Sequence, residues 1–230
     1  TENSTRNYNN RKTYNKLMFI DLIYSKPIYG KVLDFDTKKL VSIVEDLYEK
    51  DFNTITGAAM DIPQSLKIGR TDNLNVLDEP MFEDLRLVIK KEFDSFAKNE
   101  MRYKNDFEFT TSWFTKSTKG QSSTFHGHAN SMWTGCLYLQ VDDNSGDIVF
   151  ENFDHGTFYL EVEEHNMMNS IRWNIKPVNG MIIFFPSEVY HKVAESKSDL
   201  TRYSLCFSFL PVGLIGNTGS DAHAKINVEK

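Results

Sequence analysis

Residues 201–210 read TRYSLCFSFL, and this stretch decides the fold. In an extended chain successive side chains point to opposite faces, so Tyr203, Leu205, Phe207 and Phe209 share one face while Arg202, Ser204, Cys206 and Ser208 share the other. The apolar face must be covered by other apolar elements. The opposite face carries a guanidinium and hydroxyls into an interior, where an isolated charge is costly unless an anion pairs with it. An interior anion is therefore expected, either an internal Asp or Glu or something bound.

Working outward, the second half of the chain repeats this character. FEFTTSWFT (107–115), SMWTGCLYLQ (131–140), GDIVFEN (146–152), TFYLEVE (157–163), SIRWNI (170–175) and GMIIFF (180–185) are short β-branched and aromatic runs. Turn sequences such as DDNSG, DHG and PVNG separate them, with Gly146 and Gly180 serving turns, so a β core over about 107–212 reads as a sandwich or barrel. Upstream the period changes. Asp36 can cap a helix whose Leu40, Ile43, Val44 and Leu47 recur at helical spacing. Asp78 and Pro80 open a second helix with an apolar stripe of Phe82, Leu85, Val88, Ile89, Phe93 and Phe96. Together they predict a helical buttress over about 36–102, packed on one face of the β core, which is a mainly β architecture with helices (α+β). A strand-like stretch spans Leu17 to Tyr24. The polar, Asn-rich residues 1–15 are expected to be a disordered head, leaving 16–230 as a single domain.

Composition narrows the function. With 230 residues and a formal net charge of -6, the chain is long enough for one sizeable core and has no basic footprint for nucleic acid. Its longest apolar runs, such as Met181 to Pro186, are too short to span a bilayer, and no charged-then-apolar signal opens it, so a cytoplasmic location is expected. Cys136 and Cys206, the two cysteines, each lie in an apolar run and read as buried thiols of a reducing compartment, not as a disulfide framework or a catalytic pair.

The chemistry is carried by histidines. His126 and His128, one residue apart at the end of a predicted strand, send both imidazoles to the same face and can grip one metal. His191 follows the run PVNGMIIFFPSEVY, a place that a closed barrel would bring beside the first pair. The competing reading of the pair is two surface histidines in the loop after Ser122-Ser123-Thr124.

Further residues complete a recognisable order: His126-Gly-His128, Leu137-Tyr138-Leu139, Asn179-Gly180 through Phe185-Pro186-Ser187, His191-Lys-Val193, and Arg202-Tyr-Ser204. This order resembles the 2-oxoglutarate and Fe(II)-dependent oxygenases, in particular a branch of prolyl-hydroxylase-like enzymes from bacteria and phages. SLKIGRTDNLNVLDEP, before the second helix, is also similar to that branch, so the resemblance covers most of the chain. It implies a double-stranded β-helix (a jelly-roll, cupin-like barrel) and the cofactors Fe(II), 2-oxoglutarate and O₂. It also implies the reaction class: hydroxylation of a small molecule or a protein side chain, coupled to decarboxylation of 2-oxoglutarate to succinate. On this resemblance His126, His128 and His191 hold the metal, while Arg202 and Ser204 bind the outer carboxylate of 2-oxoglutarate and Tyr138 helps to hold it. The location implied is cytoplasmic, the host cytoplasm for a phage-encoded member.

There is one departure from the pattern. Most of the superfamily uses His-x-Asp or His-x-Glu with a distant histidine, leaving three positions for cosubstrate and O₂. Here His128 occupies the carboxylate slot, and the next slot is Asn130. Three neutral imidazoles leave the centre one charge more positive, which strengthens its hold on an anion. Asp142 or Glu151 is the alternative as remaining ligand. Two rivals share the histidines: a cupin-like metal-binding or sensing module without turnover, and a zinc hydrolase with three histidines and a water. Arg202 separates the first of these, because a simple metal module has no need of an interior arginine. Trp113, Trp133 and Trp173 line either the substrate mouth or the core, and His155, His165 and His223 fall in polar, solvated segments. A monomer or a modest homodimer packed through the helical half is expected.

Overall fold

A computed structural model describes residues 25–54, 63, 66–152, 160–217 and 219–228. The expected head and the strand-like stretch from Leu17 to Tyr24 lie outside the described residues, as do His155 and Thr157 to Tyr159. In chain order the elements are β1 (Tyr29–Val32), α1 (Thr37–Tyr48), β2 (Phe52–Thr54), β3 (Gly69–Thr71), α2 (Glu83–Ser95), β4 (Asp106–Ser117), β5 (Trp133–Gln140), β6 (Ile148–Glu151), β7 (Arg172–Ile175), β8 (Met181–Pro186), β9 (His191–Val193), β10 (Arg202–Ile215) and β11 (Ala224–Ile226).

The strands form an eight-stranded sheet in the order β1-β8-β5-β10-β4-β3-β2, with β11 added to β10, and a three-stranded sheet β7-β6-β9. All pairings within them are antiparallel. The large and small sheets face each other across a cavity, which is the double-stranded β-helix. The connection between β4 and β5 also joins the small sheet: Ser123 and His126 pair with Val193 and His191 of β9 through backbone hydrogen bonds.

The predicted alternation in β10 is realised. Tyr203, Leu205, Phe207 and Phe209 are at most 1% exposed and belong to the core shared with the helices. Phe209 stacks on Phe93 of α2, with centroids 3.9 Å apart, and Phe96 meets Trp133 edge to face. Gly135 of β5 makes this packing possible, since a β-carbon there would lie 2.1 Å from the Phe207 ring. Gly146 and Gly180 occupy turns at φ values near +86° and +80°, where L side chains are strained.

Three details differ from the sequence reading. Asp78 and Pro80 do not open α2 directly. They lie in two single 3₁₀ turns, Val76–Asp78 and Pro80–Phe82, and the α-helix starts at Glu83 with Glu83 and Asp84 in the first turn, where acidic groups favour the helix dipole. Val88 is 46% exposed because Ile89 and Phe93 define the buried face and Val88 is rotated away from it. Leu160 to Glu163 of the run TFYLEVE are exposed and outside any strand. By contrast, Asp36 caps α1, its side chain accepting from the Lys39 N–H at 3.0 Å. No helix among the described residues is long and apolar enough to cross a membrane.

Candidate metal centre and anion pocket

His126 and His128 do not sit at the end of a strand. They lie in the β4–β5 connection, and tertiary pairing brings them to His191. His126 exchanges two backbone hydrogen bonds with His191, both 2.9 Å, and the His128 N–H donates to the Ser187 carbonyl at 2.8 Å. One ligand nitrogen from each ring lies within 4.8 Å of the others, the one such group of His, Cys, Asp or Glu among the described residues. The surface-histidine reading therefore fails: the pair is in a loop, but the loop is folded against β9.

Two of the rings are oriented by backbone. His126 Nδ1 bonds the Thr124 carbonyl and His191 Nδ1 the Val189 carbonyl, each at 2.9 Å, which sets those nitrogens as donors and leaves the Nε2 atoms of these two rings unprotonated. The Nε2 atoms of His128 and His191 are 3.3 Å apart. Phe185 and Phe150 back the His191 ring. Burial, reinforced by His126, pushes His128 down to about 4 and His191 down to about 3, so both are neutral near pH 7, the form that ligates a metal. Asp142 is engaged by Ser145, Ser198 and the Asn144 N–H, and Glu151 by Arg172 at 2.9 Å. Neither joins the cluster. Asn130 is exposed at φ 56°, turning the loop.

The histidines open into a cavity of about 330 Å³. Strand register orders its floor in rows across the large sheet. One row is Arg70-Thr115-Ser204-Tyr138, the next is Trp113-Cys206-Cys136, and the third is Thr111-Ser208-Thr134. Arg202, opposite Ser117, lies just beyond the first row. Its side chain is 2% exposed, its Nη1 donates to Ser204 Oγ at 3.3 Å, and its guanidinium lies 5.3 Å from the Tyr138 ring centroid. Ser204 Oγ is also 2.7 Å from Thr115 Oγ1.

Three buried polar atoms at this end, Arg202 Nε, Tyr138 Oη and Ser117 Oγ, lack a protein partner. Among the described residues no carboxylate pairs with Arg202. Buried polar atoms left without a partner are rare in folded proteins and are expected where a ligand completes them. Both groups implied by the resemblance thus fit the residues present: three imidazoles whose ligand nitrogens lie within 4.8 Å of one another suit Fe(II), and the buried polar atoms without partners around Arg202 suit a carboxylate.

Sequence reasoning missed Arg70, Thr115 and Ser117. The alternation of β4 and β3 carries a signal for them, but only the register on β10 shows that they face the same interior. Trp113 lines the cavity, Trp133 is core, and Trp173 is 42% exposed on β7. His165 and His223 are exposed.

Residues 111–208 match the model of a family described as "Putative 2OG-Fe(II) oxygenase". No curated protein matches the chain. Solved structures share the fold at low identity. A Pseudomonas putida prolyl-4-hydroxylase aligns at TM-score 0.57 and 16% identity, over 82% of this chain and 95% of that one. HygX from Streptomyces hygroscopicus, solved with nickel, 2-oxoglutarate and hygromycin B bound, aligns at TM-score 0.54 and 12% identity, over 81% and 83%. A viral collagen prolyl hydroxylase from Paramecium Bursaria Chlorella virus-1, in its 2-oxoglutarate complex, aligns at TM-score 0.50 and 15% identity, over 79% and 95%.

Proposed function

Since residues 111–208 match the 2OG-Fe(II) oxygenase family and the chain has the fold of such enzymes, we propose that it is a 2-oxoglutarate-dependent dioxygenase with a three-histidine metal centre. His126, His128 and His191 hold Fe(II), and Arg202, Ser204 and Tyr138 hold the distal carboxylate of 2-oxoglutarate. The observation that carries this reading is the buried guanidinium of Arg202, with no carboxylate partner among the described residues and its Nε without a hydrogen bond, lining the same cavity as the histidines.

Bound together, Fe(II) and 2-oxoglutarate supply the oxidation of a substrate C–H bond by O₂, coupled to decarboxylation to succinate. The chain's own residues supply position and environment. The Thr124 and Val189 carbonyls fix two imidazoles with Nε2 toward the centre. Arg202 can take a carboxylate through two parallel N–H bonds, and Tyr138 Oη can donate a further one. Thr115 holds the Ser204 hydroxyl, and Phe150 and Phe185 keep the back of the centre apolar, which strengthens each electrostatic contact inside.

Arg70 faces the cavity from β3, flanked by Ile68, Leu74 and Trp113, and no described residue is paired with it. We assign it to the substrate side, where it suits a small molecule or side chain with an anionic group beside an apolar body. The protein acts in the cytoplasm as a monomer or homodimer.

The test is titration of the Fe(II)-loaded protein with 2-oxoglutarate under nitrogen, followed by succinate release under O₂ with candidate substrates. Saturable binding at micromolar concentration is expected. No binding at millimolar 2-oxoglutarate, with Fe(II) bound, leaves the metal-binding module as the better account.

A further inference from the structure

Cys136 and Cys206 read from sequence as buried thiols, not as a disulfide framework or a catalytic pair. In the structure they are directly opposite each other on β5 and β10, both free, with sulfurs 3.8 Å apart, in van der Waals contact. They line the cavity floor in the row next to Ser204 and Tyr138. Cys206 is the more open of the two to the cavity, and Cys136 is 6% exposed. Opposed residues of an antiparallel pair have α-carbons about 4.5–5.5 Å apart, inside the span of about 4.4–6.8 Å that a disulfide bridges. Bond formation therefore needs rotation of two short side chains and little movement of the backbone.

We propose that Cys136 and Cys206 form an oxidative modification site, which a hydroperoxide entering the cavity converts to an interstrand disulfide that weakens 2-oxoglutarate binding. A thiolate attacks the peroxide, the O–O bond breaks, and the sulfur is left as a sulfenic acid with water or an alcohol as the other product. The second thiol attacks that sulfur and expels water. In all, two thiols give up two electrons and two protons, and the peroxide takes them up. Cys136 is suited to act first. Burial raises its thiol, but the hydrogen bond from Cys206 and the charge of Arg202 outweigh this and hold it below its ordinary value.

The effect on the cosubstrate follows from the rows. Closing the sulfurs from contact to a bond length of about 2 Å re-aims both side chains, with little movement of β5 and β10, in the row next to the Ser204 and Tyr138 side chains. The donors around Arg202 are then displaced from the carboxylate they hold. This second part rests on the proposed function; the crosslink does not.

The 230-residue chain, loaded with Zn(II) so that the metal is inert to peroxide, is treated with hydrogen peroxide. Intact mass, thiol alkylation and 2-oxoglutarate affinity are then measured. Expected are the loss of two hydrogens in mass, no alkylatable thiol, and affinity lower by about tenfold or more, all reversed by dithiothreitol. Cys136→Ser and Cys206→Ser should each prevent the crosslink and the loss of affinity. Thiols that stay alkylatable, or that gain oxygen without crosslinking, overturn the proposal. Equal loss of affinity in the single-thiol variants overturns it as well, because one oxidised sulfur would then suffice. An unchanged affinity of the crosslinked protein overturns the coupling to the cosubstrate. If the reduced protein binds no 2-oxoglutarate, the proposed function fails, and the crosslink is still decided by mass and alkylation.

Discussion

The two faces of β10 differ in kind. Toward the helices, Tyr203, Leu205, Phe207 and Phe209 are sealed among aromatic rings that satisfy one another. Toward the small sheet, Arg202, Ser204 and Cys206 meet hydroxyls, thiols and a cavity, and buried polar atoms there are left without partners. One strand thus contributes closed packing on one side and an unfinished hydrogen-bonding shell on the other. Complete contacts stabilise the fold, and the unfinished shell is where the proposed function puts the ligand. Mutations on the two faces should therefore separate cleanly.

The largest effects are expected at the histidines. His126→Ala, His128→Ala or His191→Ala should abolish stoichiometric Fe(II) binding while circular dichroism still reports the β-rich fold. Full iron occupancy in His128→Ala would show that the second ligand is misassigned. Next is Arg202→Ala, which removes one side of a buried charge-assisted pair. About 3–5 kcal/mol, or roughly a few hundred- to a few thousand-fold in 2-oxoglutarate affinity, should be lost with the metal retained, and Arg202→Lys should keep part of it. Equal cosubstrate affinity in wild type and Arg202→Ala would remove the distinction between the faces.

On the sealed side, Phe93→Ala should cost about 3–5 kcal/mol in denaturant unfolding, yet leave 2-oxoglutarate affinity per folded molecule near wild type. A parallel collapse of affinity would mean that the two faces are one cooperative unit. Tyr138→Phe is the finer probe. It deletes a buried hydroxyl that has no protein partner, so the cosubstrate-free protein should be as stable as wild type or slightly more so. It should nevertheless lose about 1.5–3 kcal/mol of cosubstrate binding if that hydroxyl donates to the carboxylate. The same contrast can be read as a linkage: 2-oxoglutarate at about 100 times its wild-type Kd should stabilise metal-loaded wild type by about 2.7 kcal/mol, and Arg202→Ala hardly at all at that concentration.

Much of this contrast is written in local sequence. Strict alternation in TRYSLCFSFL identifies both faces of β10, because a strand's side-chain period is two whatever surrounds it. The helical stripe around Phe93 is legible for the same reason, except at Val88, which stands beside the buried face and is turned outward by helix rotation. Asp78 and Pro80 place the start of α2 too early, since they are signals for a turn as well as for a helix.

The sequence by itself also singled out His126, His128 and His191 by their spacing and Arg202 by its charge on an interior strand face, while the resemblance to the oxygenases pointed to the roles of Ser204 and Tyr138. Their convergence was decided by tertiary structure. His126 and His128 stand in a connection with no strand of its own, and it is the pairing of that connection with β9 that sets them against His191. Register, which no single strand's pattern fixes, put Arg70 and Thr115 on the row of Ser204 and set Cys136 opposite Cys206. A one-residue slip in any of these pairings would have sent the same residues to the other face. Periodicity is local and can be read along the chain; adjacency between strands is a property of the folded sheet.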